Sequence, residues 1–169
     1  MVSRSAVLEK RFHQLLSANG GALIRLAASY TNNPSDRDDL FQDMALAIWK
    51  ALPQFRGESS ERTFIFRIAH NRAITYIAQR RPVMASPDEI ELPDPRPNPE
   101  KGFAREQQET RLFEAIDRLP MQYRQVITLT LEDMSYAEIA DVLGIGESNV
   151  GVRINRARQM LREMMEITK

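Results

Sequence analysis

Residues 135–158 read SYAEIADVLGIGESNVGVRINRAR, and this stretch decides the fold. Ser135-Tyr136-Ala137-Glu138 is an S-x-x-E capping box, in which serine and glutamate side chains each satisfy an unpaired N–H at a helix start. Ile139, Ala140, Val142 and Leu143 give that helix a buried stripe. Gly144 supplies a left-handed C-cap at no steric cost, and Ile145 plugs the turn. Gly146 or Glu147 opens a second helix. Two short helices around a glycine-containing turn have helix-turn-helix dimensions.

The second helix separates by face. Val150, Ile154, Ala157 and Leu161 recur at i, i+4, i+7 and i+11 and are expected to bury together. Ser148, Gly151, Val152, Asn155, Arg156 and Gln159 form the opposite face, with Arg153, Arg158 and Arg162 nearer the flanks. No acid occurs between residues 148 and 162. Such a helix fits a major groove, with short polar and Arg side chains on base edges and flanking arginines on phosphates. A plain helical hairpin with a solvated arginine face fits the same pattern.

Upstream, Leu112, Phe113, Ile116 and Leu119 form an apolar face before Pro120, and a helix is expected from about Gln122 to Glu132. Before this unit lies PVMASPDEIELPDPRPNP (residues 82–99), with six prolines. Proline removes backbone donors and disfavours helix in the residue before it, so residues 82–104 are read as a flexible, acidic linker. The chain thus divides into units 1–81 and 105–169, both helical, and the expected fold class is all-α. No strand-like alternation and no long repeat is present.

In the first unit, a helix is expected from about Ser5 to Tyr30, loosened or interrupted at Gly20-Gly21. Ser35-Asp36-Arg37-Asp38 reads as a second helix start, followed by Leu40, Met44, Ala47, Ile48 and Ala51 at helical spacing up to Pro53. The cluster Asp36, Asp38 and Asp39 is accounted for by the helix dipole. A third helix reaches about Arg80 and carries no acid from Thr63 to Arg81. Its expected outer face is Arg67, His70, Asn71, Ile74 and Ala78, with Ile65, Ile68, Ala69, Ala73 and Tyr76 inward. Phe55 on a glycine-containing loop and Phe64 beside Arg67 suit stacking of unpaired bases, although both rings also suit a core.

The 169 residues carry 23 basic and 23 acidic side chains, but the distribution is uneven. Residues 1–81 hold 12 Lys/Arg against 7 Asp/Glu, residues 82–110 hold 3 against 7, and residues 111–169 hold 8 against 9. A basic front therefore hides behind a neutral total. With no cysteine, the chain has no disulfide framework, thiolate–zinc site, iron–sulfur cluster or thiol nucleophile. His13 and His70 lack ligand spacing, so no metal or other cofactor is expected. No nucleophile–base arrangement or phosphate-cradling loop is visible, so neither catalysis nor a small-molecule substrate is expected. The start, Met1-Val2-Ser3-Arg4, shows no apolar signal segment, and no membrane-length apolar run follows. A cytoplasmic protein is the expectation.

Taken together, these stretches resemble the extracytoplasmic-function (ECF) sigma factors, a branch of the sigma-70 family. Asn33-Pro34-Ser35-Asp36-Arg37-Asp38-Asp39-Leu40-Phe41-Gln42-Asp43 is similar to the family's N-P-x-D-A-E-D-L-x-Q-E segment. Phe55-Arg56-Gly57-Glu58-Ser59, Arg62-Thr63-Phe64 and Ile68-Ala69-His70-Asn71-Arg72-Ala73 resemble its F-R-G-x-S, R-T-W and I-A-x-N-x-A. Leu119-Pro120, Ser135-Tyr136-Ala137-Glu138-Ile139-Ala140 and Leu143-Gly144-Ile145 resemble its L-P, S-Y-x-E-I-A and L-G-I, and Arg153, Arg156, Ala157 and Arg158 resemble the basic end of its recognition helix. The resemblance spans nearly the whole chain apart from the linker.

It implies a DNA-binding specificity subunit of RNA polymerase, with region 2 in residues 1–81 and region 4 in 105–169. Asp39, Leu40, Gln42 and Asp43 would dock on core polymerase. Phe55, Arg56, Phe64, Arg67, Asn71 and Arg72 would capture the melted −10 element of promoter DNA. Ser148, Asn149, Gly151, Val152, Arg153, Asn155, Arg156 and Arg158 would read the −35 element as duplex. An anti-sigma factor, often membrane-bound, is the further partner implied. A helix-turn-helix regulator acting without polymerase, or a sigma mimic that sequesters an anti-sigma factor, are the competing readings. The chain departs from the family pattern at Phe64, where Trp is usual, at Gly146, where Ser is usual, and at Gly151-Val152, where a basic and a small polar residue are common.

Overall fold

The computed structural model describes residues 3–80 and 104–167, and within them the chain is helical with no strand. Seven α-helices occur: α1 (Arg4–Ala28), α2 (Pro34–Ala51), α3 (Glu61–Arg80), α4 (Ala104–Asp117), α5 (Met121–Leu131), α6 (Tyr136–Leu143) and α7 (Glu147–Ile167). A 3-10 turn at Leu52–Gln54 follows α2. The expected linker, residues 82–104, lies outside the described residues except for Ala104, which begins α4 instead.

Local chemistry sets the boundaries. α1 runs unbroken through Gly20 and Gly21, contrary to the expected interruption. Two glycines cost a helix roughly 2 kcal/mol relative to alanine, and the buried stripe Leu15, Leu23, Leu26 and Ala27 outweighs that locally. α2 is capped by Asn33, not Ser35: its Oδ1 accepts the Asp36 N–H at 2.8 Å, with Pro34 in the first turn, where its missing N–H costs nothing. Ser60 Oγ accepts the Thr63 N–H at 3.0 Å and so caps the start of α3. The Ser135–Glu138 capping box forms in full, and Gly144 takes the left-handed conformation at φ 67°.

One continuous core joins both ends of the chain. Leu23, Leu26, Leu40, Met44, Ile48, Ile65 and Phe66 of the first three helices belong to the same buried set as Val126, Leu129, Ile139, Val142, Val150 and Ile154. A smaller set, Ala115, Ile116, Leu119, Ile127, Ala157 and Leu161, ties α4 to α5 and α7. Phe113 is 56% exposed and lies outside that set; Ala115 takes the inward position. Its neighbours Leu112, Ile116 and Leu119 already complete the helical stripe, and residue 113 points away from it.

His70 is likewise not on the outer face of α3. It is 8% exposed and pairs with Tyr30 Oη through Nδ1 at 2.5 Å. Burial lowers its pKa from 6.5 to about 4. The folded value lies below the unfolded one, so as pH falls the unfolded chain gains this proton first and stability is lost between those two values. The loss should approach about 2 kcal/mol by pH 5. Urea unfolding at pH 7 and pH 5 should show it in the native chain and not in His70→Gln; equal pH dependence of the two would exclude His70 as its source.

Candidate nucleic-acid interface

The outward face of α7 stands where the sequence pattern put it. Val150, Ile154 and Ala157 are wholly buried and Leu161 nearly so, which fixes the rotation of the helix. Ser148, Asn149, Val152, Asn155, Arg156 and Arg158 are exposed in consequence, and Val152, at 67%, is an unusually open apolar side chain. Arg153 is half-buried and donates to Asn149 Oδ1 at 3.2 Å. Arg156 donates to Gln159 Oε1 at 3.2 Å, and Gln159 in turn donates to Glu163 at 3.0 Å, so this arm is held along the helix. Gly151, expected on the same outward face, is less open than its neighbours there. It is half-buried, and a Cβ placed there would lie 3.5 Å from the Tyr136 ring, which occupies that side.

In the first half, the Phe55–Gly57 loop and the start of α3 enclose an open cleft of about 570 Å³, lined by Phe55, Arg56, Glu58, Phe64 and Arg67 among others. The Phe55 and Phe64 rings meet at 4.8 Å between centroids and 52° between planes. The Arg11 guanidinium lies 5.3 Å from the Phe55 centroid and pairs with Glu61. Arg11 had no local signal, because it reaches the Phe55 ring from α1 only through the tertiary fold. Asn71 is exposed, one turn beyond Arg67 on α3. Arg72 does not join that face: it turns toward α2 and pairs with Asp43 at 3.0 Å.

On α2, Asp39 and Gln42 are exposed and Asp43 is half-buried. Leu40 corrects the expected set, for it is wholly buried and presents nothing to a partner. Leu46, 51% exposed, takes its place as the apolar member of the face. The spacing 39, 42, 43, 46 (i, i+3, i+4, i+7) contains this signal, since Leu40 falls instead on the stripe with Met44 and Ile48.

The chain matches the Sigma-70 region 2 model over residues 15–83 and the Sigma-70, region 4 model over residues 109–161. The RNA polymerase sigma factor NccH of Alcaligenes xylosoxydans xylosoxydans is 32% identical over 161 residues, covering 92% of this chain and 87% of that protein. The ECF RNA polymerase sigma-E factor of Escherichia coli K12 is 32% identical over 164 residues, covering 90% and 85%. The chain belongs to the ECF sigma factors. In this sigma factor, region 2 comprises most of α1 with α2 and α3, and region 4 runs from α4 through the helix-turn-helix α6–α7. Its role is promoter-directed initiation of transcription by RNA polymerase. A solved structure of the sigma factor RpoE with the anti-sigma factor NepR from Bartonella quintana shares the fold, with a TM-score of 0.74 at 22% identity over 95% of this chain and 99% of that one. Among the described residues, no helix is long and apolar enough to cross a membrane.

Proposed function

We propose that this sigma factor divides promoter reading between two surfaces, with α7 on −35 duplex and the Phe55–Phe64 cleft on the unpaired −10 strand. The carrying observation is the difference in shape between them. The α7 face is a straight, acid-free edge of side chains that fits a major groove. The cleft offers aromatic surface beside Arg56 and Arg67, which suits an extruded base with its phosphate path. The unit boundaries at residues 81 and 105 belong to the same reading. So do docking of the Asp39–Gln42–Asp43–Leu46 face on core polymerase, cytoplasmic action without catalysis or cofactor, and capture by an anti-sigma factor. The RpoE–NepR complex supports that last partner.

Arg156 and Arg158 test the α7 assignment. Arg156 shares the outward face with Val152 and Asn155, so Arg156→Ala should cost about 1–3 kcal/mol and relax preference at one base position. Arg158 lies off that face, so Arg158→Ala should weaken all sequences alike and reduce the salt slope by about one unit. Both are measured on the full chain against a randomised −35 duplex library at two salt concentrations. No loss from either variant would remove α7 from the groove.

A further inference from the structure

Among the large apolar side chains of the described residues, Val152 is more open than any but Ile167 at the end of α7, and it stands on a polar face. Ser148, Asn155 and Arg156 share that face. Valine is a poor choice for an exposed helix position, because its branched Cβ loses rotamer freedom against the preceding turn and gains no burial in return. The residue before it is glycine, the least favourable in a helix interior after proline. The fold does not require that glycine: a Cβ at position 151 would meet Cε2 of Tyr136 at 3.5 Å, an ordinary contact. Its effect is to leave the Tyr136 ring, 43% exposed at the start of α6, with no side chain over that edge.

The ring edge and Val152 thus form an apolar strip in the first two turns of α7, the end of a recognition helix that meets base edges. Neighbouring polar arms are engaged along the helix, Arg153 with Asn149 and Arg156 with Gln159. In the major groove the thymine methyl is the apolar group, and the other recognition groups are hydrogen-bond donors and acceptors. A polar edge set against Val152 would lose water and gain no partner, whereas a methyl group gains contact. We infer that Val152 reads a thymine of the −35 element through its 5-methyl group, with the Tyr136 ring excluding water on the side that Gly151 leaves bare. The inference rests on the assignment of α7 to −35 duplex and names the chemistry read there.

The full native chain, screened against the randomised −35 duplex library, should prefer thymine at one position. Deoxyuridine in its place lacks only the methyl group and should weaken binding about fourfold, the effect of burying one such group. With cytosine at that position, 5-methylcytosine should bind more tightly than cytosine by a similar factor. Val152→Ser should bind the thymine and uracil duplexes equally, and Tyr136→Ala should lower the native ratio to about twofold. Both positions are exposed, so urea unfolding should find both variants folded. Equal binding of thymine and uracil at every selected position, or an unchanged ratio in Val152→Ser, would overturn the inference and leave α7 in the groove. An unchanged ratio in Tyr136→Ala would remove the ring from the contact. A native chain with no preference among duplexes would overturn the assignment of α7 as well.

Discussion

Phe66→Ala is expected to remove about 3–5 kcal/mol of stability, a large part of the roughly 5–15 kcal/mol that holds a domain folded. Phe66 is wholly buried on α3, within the core shared by both halves. Its ring also lies 5.4 Å beneath the Arg62 guanidinium. Truncation leaves a cavity that the neighbouring Leu and Ile side chains fill only in part, because their helices are fixed by other contacts. Urea unfolding at neutral pH measures the effect. A loss below about 1 kcal/mol would mean that the ring is not enclosed as described.

The second large effect is expected at the α2 face. Asp43→Arg sets a cation against Arg72, now 3.0 Å from the carboxylate, and reverses the charge of a surface that also carries Asp39. Affinity for core polymerase should fall roughly tenfold or more, since a reversed charge at an interface opposes both encounter and docking. Affinity for −35 duplex should stay unchanged, because α7 lies elsewhere. Undiminished core binding by a folded variant would move the docking surface away from this part of α2.

Much of this molecule is written locally. The Ser135–Glu138 box, Gly144 and the Val150–Leu161 stripe fix the helix-turn-helix with contacts no more than a few turns apart, and the structure reproduces each. Single-position assignments were less legible. Leu40 lies among acids in a motif, yet its buried side follows from register with Met44 and Ile48 rather than from its neighbours. His70 reads as polar and outward until Tyr30, forty residues earlier, is found beside it. Arg11 over Phe55, and Arg72 turned to Asp43, depend on the crossing of helices, which periodicity within one helix does not encode. The packing of region 4 on region 2 was the least visible, since its charged partners Arg25 of α1 and Glu132 stand 107 residues apart.

The Arg25–Glu132 pair lies within a single chain, and this bears on dilution. An intramolecular contact is governed by an effective concentration that the number of copies does not alter. Thinning the protein about a thousandfold therefore leaves this pair formed to the same extent, whereas a contact between separate chains would be lost.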